Sequence, residues 1–184
     1  MAIIPPRRAL ILGSADTLAA DRDAALELFK PDILIAANHA ARDYDGHVDA
    51  FVSMHPELIP LWLGQRIKRG GSLPGDIWYP RHKPCSIARA RPVKSWGGSS
   101  GLMCVAVAEQ LGVTHAVLAG IPMVKMNRHY DKSEPWMECR QYYPAWERQR
   151  DHISPWVRSM SGWTRTLLGE PTREWLDADT TGQG

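Results

Sequence analysis

Residues 97–120 read GGSSGLMCVAVAEQLGVTHAVLAG, and no other stretch narrows the fold as much. A Gly/Ser loop leads into an apolar helix, and the helix leads into a short apolar strand that ends in glycine. Ser99 and Ser100 are N-cap residues by type, because a hydroxyl can accept from an amide of the first helical turn. Gly101, Ala106 and Ala108 are small enough to let the helix lie close to a sheet, and Gly112 suits its C-terminal end. Residues 116–119 are apolar throughout, as in a parallel strand covered on both faces. Together these parts predict a loop–helix–strand unit of a nucleotide-binding α/β fold. The helix start, with its amides and the positive end of its dipole, is a seat for an anion such as phosphate. An ordinary Gly-rich turn before a core helix would use the same residues.

The rest of the chain repeats the alternation. An apolar strand at 9–12 ends at Gly13-Ser14 and is followed by a helix at 20–29, which Pro31 stops. A second strand at 32–37 closes at Asn38-His39, and a third at 49–53 closes at Met54-His55-Pro56. Residues 57–69 predict a helix with Leu58, Leu61, Trp62 and Ile67 on its inner face. A short strand at 76–79 precedes a basic, proline-containing loop or edge segment at 81–96. Residues 123–136 are polar and irregular, and 138–159 read as helix in part, interrupted by Pro144 and Pro155. The fold class that follows is α/β: one Rossmann-like domain over 1–176, a mostly parallel sheet with helices on both faces, a reduced C-terminal lid region and a flexible tail at 177–184. In such a sheet the ligand lies beyond the carboxyl ends of the strands. The junctions Gly13-Ser14, Asn38-His39, Met54-His55-Pro56 and Gly120-Ile121-Pro122, with residues 97–101, then converge on one cleft.

Composition removes several classes. A formal net charge of +2 over 184 residues is too small to argue for nucleic acid. No apolar run is long enough to span a membrane, and the N-terminus lacks the pattern of a signal peptide. Cys85, Cys104 and Cys139 are scattered and odd in number, which fits a reducing, cytoplasmic setting. The seven histidines form no HxH or HExxH pair, so no metal site is expected; a divalent ion would enter only with a triphosphate ligand. Asp43, Asp45 and Asp49 belong to a turn sequence. The cations of Arg81-His82-Lys83, Arg89 and Arg91 read as flanking an anionic nucleotide rather than a nucleic-acid strand. Tyr142, Tyr143 and Trp146 are either walls of an acceptor site or one packing face of a helix. Eight tryptophans suggest a half-buried cleft or an interface for a homo-oligomer.

The run Ser100-Gly101-Leu102-Met103-Cys104-Val105-Ala106-Val107-Ala108, then Leu111-Gly112, then Leu118-Ala119-Gly120-Ile121, resembles the core of glycosyltransferase family 42, the bacterial sialyltransferases, within a wider group that includes the DUF115 and MptE-like proteins. Residues 11–18, Ile35-Ala36-Ala37-Asn38 and residues 51–56 are similar to its first three strand ends, in the same order; the likeness covers about the first two thirds of the chain. Pro122 stands where that family has a strand-end aspartate. The resemblance implies a transferase that takes a CMP-type nucleotide sugar and inverts the sugar carbon with a histidine base, without an obligatory cofactor. It implies nucleotide contacts from Gly13, Ser14, Asn38, His55, Ser99, Ser100, Gly101 and Gly120. It implies a base after the last of these strands, with His152 the better positional match and His129 the other. The runner-up readings are a pyrophosphokinase-like enzyme, as in the MptE branch, and a non-catalytic phage assembly or interaction protein.

Overall fold

The computed structural model describes residues 6–128 and 135–178. Its centre is a seven-stranded, all-parallel sheet: β1 (Arg8–Leu12), β2 (Ile33–Ala37), β3 (Ala50–Val52), β4 (Asp76–Pro80), β5 (Arg91–Val93), β6 (His115–Ala119) and β9 (Val157–Ser159). The strand order is β5-β4-β3-β2-β1-β6-β9. The Rossmann-like α/β fold expected from the sequence is therefore the fold observed. Two short strands, β7 (Met126–Asn127) and β8 (Pro135–Trp136), pair antiparallel outside the sheet. No helix among the described residues is long and apolar enough to cross a membrane.

Alternation along the strands sets the two layers. Ala9, Ile11, Ile33 and Ile35 face one core; Leu10, Leu12, Leu34 and Ala36 face the other. The second core is covered by α1 (Leu18–Leu28), α2 (Asn38–Asp43), α3 (Ile59–Lys68) and α7 (Arg173–Asp177). The first is covered by α4 (Ser100–Gln110), α5 (Tyr143–Ile153) and α6 (Gly162–Leu168). Every residue of α4 from Gly101 to Ala108 is buried, which explains why its sequence is apolar all round. The connections β1–β2, β2–β3 and β3–β4 move outward in one direction, and α4 then carries the chain back across the sheet to β6 on the other side of β1. The reversal opens a crevice between the carboxyl ends of β1 and β6.

Several expectations change. Asn38-His39 does not merely close β2; it opens α2, with Asn38 at φ 49°. Pro144 starts α5 rather than breaking it, because a first-turn residue has no intrahelical acceptor for the amide that proline lacks. Residues 157–159 form an edge strand beside β6 that so short a segment after Pro155 did not announce. In α3 the inner face is Ile59, Trp62 and Arg66, whereas Leu58, Leu61 and Ile67 are exposed. The Arg66 guanidinium donates to the carbonyls of Ala41, Tyr44, Gly46 and Ser72, so its burial is hydrogen-bonded throughout. Burial lowers its pKa from the ordinary arginine value. Trp62, Trp78 and Trp146 are buried and the other five tryptophans are half-buried. Of the tail expected at 177–184, Asp177 belongs to α7, and residues 179–184 lie outside the described residues.

His115, at the start of β6, is buried edge-on against Trp175, with ring centroids 4.8 Å apart. Burial, with Arg8 nearby, holds its pKa below the ordinary histidine value. The native state therefore resists taking a proton that the unfolded chain accepts below about pH 6.5. The contribution is complete above that pH and is lost as pH falls toward the native pKa. Urea unfolding should give a midpoint that declines between pH 7 and pH 5. The decline should be shallower in His115→Gln.

Candidate functional site

The crevice is a cavity of about 470 Å³. Its floor is two glycines, one past each central strand. Gly13 donates to the Ala119 carbonyl at 2.8 Å, and Ala15 donates to the Gly120 carbonyl at 3.1 Å. A Cβ on Gly13 would lie 2.4 Å from the Gly120 carbonyl oxygen and 2.4 Å from Ile121 Cγ1. Gly120 has φ 68°, and a Cβ there would lie 2.8 Å from the Gly13 carbonyl oxygen. Only glycine fits both positions, so main-chain atoms face the ligand space there.

A buried carboxylate holds the strand end. Asp21 Oδ2 accepts from the Gly120 amide at 2.9 Å, from Ser161 Oγ at 2.6 Å and from Thr17 Oγ1 at 2.9 Å. The next three carbonyls are also taken. Thr164 Oγ1 donates to Ile121, the Trp163 amide to Pro122 at 2.7 Å, and Tyr143 Oη to Met123 at 2.7 Å. Met123 is held at φ 51°. It and Asn38 are the only non-glycine residues with positive φ among those described, and both face the cavity. Backbone strain of this kind gathers at functional sites, where surrounding bonds must hold it in place.

The opposite wall is the loop before α4. Gly97 and Gly98 have φ 90° and 74°, turning the chain into the helix. Ser99 caps it, accepting from the Leu102 amide at 3.4 Å and from Trp146 Nε1 at 3.2 Å. Met103 donates back to the Ser99 carbonyl. Ser100 and Gly101, whose amides have no carbonyl behind them within the helix, line the cavity. Ser100 Oγ accepts from Asn38 Nδ2 at 3.1 Å and from the Met54 amide at 3.3 Å, tying α4 to the ends of β2 and β3. Ser14 Oγ accepts from the Ala40 amide at 3.2 Å, joining the β1 loop to α2.

The structure thus brings together all eight residues expected to contact a nucleotide: Gly13, Ser14, Asn38, His55, Ser99, Ser100, Gly101 and Gly120 all face the one cavity. It does not bring His152 there. That side chain lies on the outside of α5, bonded to Glu109 and edge-on to Trp96 at 5.6 Å. A proton acceptor must reach the reacting hydroxyl, and in this placement His152 does not line the cavity. His129 lies outside the described residues. Of the aromatic candidates, Tyr142 faces the cavity and stacks on Trp136 at 5.8 Å. Trp146 is buried and serves Ser99. Tyr143 stacks on Trp163 at 3.8 Å and anchors Met123.

The charge at the site is mainly positive. Lys83 stands at the rim with Nζ donating to the Met54 carbonyl at 2.8 Å, and Arg128 faces the cavity from beyond β7; Glu138 is the acid that faces it. The basic loop signalled Lys83. Arg128, Glu138 and Asp21 carried no signal, since a lone charge in an irregular stretch or in a helix looks like solvated surface. Among the described residues no group of three or more His, Cys, Asp or Glu could hold a metal ion. Compared with known proteins, the sequence matches no family model and no curated protein.

Replacing the floor glycines should separate close approach from glycine content. Gly13→Ala and Gly120→Ala should each cost roughly 3 kcal/mol of unfolding free energy, from overlap with fixed backbone. Gly64→Ala, inside α3 with nothing within 4 Å of the new methyl, should stabilise by about 1 kcal/mol. Denaturant midpoints for the three variants check both signs.

Proposed function

We propose that the protein is a nucleotide-sugar-dependent glycosyltransferase of the CMP-donor type. One observation carries the reading: eight residues scattered from 13 to 120 meet at the sheet's switch point around one cationic cavity. In this reading the nucleotide phosphate rests on the amides of Ser100 and Gly101, with the α4 dipole behind it and Lys83 beside it. The glycine floor lets the ligand approach main chain closely, and Asn38 offers an amide side chain to the ribose or base. In the reaction an acceptor hydroxyl oxygen bonds to the sugar's anomeric carbon. The bond from that carbon to the phosphate oxygen breaks, its electron pair leaves on CMP, and the hydroxyl proton passes to a base. Positive groups at the phosphate stabilise the charge that develops on the leaving group.

A second reading is nucleotide binding without transfer, on the same fold. The position of His152 outside the cavity favours it. Function lives in the site and not in the fold, so binding and turnover need separate tests.

Thermal unfolding with CMP, CMP-sialic acid, UDP-glucose or ATP with magnesium tests the binding reading. Ligand at 100 times its Kd stabilises by about 2.7 kcal/mol. For a chain of this size that raises the Tm by roughly 5–10 °C. CMP and CMP-sialic acid should give that shift, and Lys83→Ala should weaken CMP by about tenfold, the worth of one charge-assisted contact. A shift with ATP alone would favour the pyrophosphokinase-like alternative. No shift with any nucleotide would sink both enzyme readings.

A further inference from the structure

We propose that His55, oriented by Glu57, is the general base of the site. The inference rests on the transferase reading above and supplies the proton acceptor that His152 cannot provide. Six of the seven histidines lie among the described residues, and of these only His55 faces the cavity.

Its position is built by the local chain. β3 ends at Val52, and the His55 amide donates to the buried Ser53 Oγ at 2.9 Å. The His55 carbonyl accepts from Leu58 at 3.0 Å, which starts the short helical turn at Pro56–Leu58. Pro56 is buried at the first position of that turn, so the backbone on both sides of the imidazole is constrained. The turn also folds Glu57 back: its Oε1 lies 3.3 Å from His55 Nδ1. A carboxylate on Nδ1 selects the tautomer with the proton there and leaves Nε2 as the acceptor. Glu57 stays ionised in this setting. Its own main-chain amide lowers its pKa most, and His55 and Lys83 lower it further. Lys83, bonded to the Met54 carbonyl beside them, is the cation facing the pair.

During transfer, Nε2 takes the proton from the acceptor hydroxyl as the oxygen bonds to the anomeric carbon. Glu57 stabilises the imidazolium that results. The α4 start stands on the phosphate side, where the leaving electron pair goes.

The test uses the full chain, with CMP binding by calorimetry and CMP release from CMP-sialic acid, water serving as the acceptor. His55→Asn should release CMP at least roughly 100-fold more slowly at saturating donor, whatever the change in CMP affinity at a residue that also lines the nucleotide cavity. Glu57→Gln should bind CMP normally and lower kcat at saturating donor by roughly tenfold, and Glu57→Asp should restore most of that loss. A purely structural role for Glu57 would show in KM and CMP affinity rather than in kcat alone. A His55→Asn kcat at saturating donor equal to wild type overturns the assignment, as does a loss that lies wholly in KM. Wild-type protein that binds CMP but releases none from the donor overturns both the base assignment and the transferase reading, while keeping nucleotide binding. Wild-type protein that does not bind CMP overturns the nucleotide reading beneath both.

Discussion

The structure depends on the approach of two peptide segments, at Gly13 and Gly120, where β1 and β6 lie side by side and the chain leaves them in different directions. The parallel register pairs Leu12 with Ala119, so both strands end at the same height. Each following residue is then forced against the other's main chain, with no space for a Cβ. The contact fixes the width of the crevice at its base. Asp21 ties the β6 end to α1 and, through Ser161, to the start of α6. Thr164, Trp163 and Tyr143 hold the next carbonyls, and Met123 is thereby kept in a conformation a methionine does not choose. The C-terminal helices are thus part of the site although they contribute few side chains to its wall.

Much of this was legible because local and global signals agree. Residues 100–108 had to be a buried helix, since nothing in them is polar beyond the cap. The glycine, polar and turn residues at the strand ends pointed to one cleft, and the alternation of strands and helices pointed to a parallel sheet with its ligand beyond the carboxyl ends of the strands. Illegible parts depended on partners far along the chain. Arg66 looked like a solvated end of α3, yet four carbonyls from the segments around α2 and the turn after α3 make its burial tolerable. With Arg66 inside, the helix rotates so that Leu61 and Ile67 face out. Asp21 looked like one of several charges on a polar helix, and only the fold brings Gly120 to it. His152 matched by order along the chain, which does not report the direction of a side chain on a helix.

The site's chemistry follows from what surrounds the glycine floor. One wall is a capped helix start with Ser100 and Gly101 lining the cavity, which Lys83 and Arg128 also line. Ser100 and Asn38 join the ends of β2 and β3 and the helix into one unit, so the wall is built before any ligand enters. A tryptophan–tyrosine stack closes another side. The arrangement suits an anion attached to a planar, partly apolar group, which is the chemistry of a nucleotide.

The central claim is that a nucleotide sits at the β1–β6 switch point with its phosphate on the start of α4. Titrating CMP into nitrogen-15-labelled protein and following the amide resonances tests it directly. The account predicts that the largest saturable changes fall on Gly13, Ser100, Gly101 and Gly120, the amides that surround the floor and the helix start. Saturating CMP that leaves those four resonances unmoved, or that moves chiefly the exposed face of α3, would contradict it.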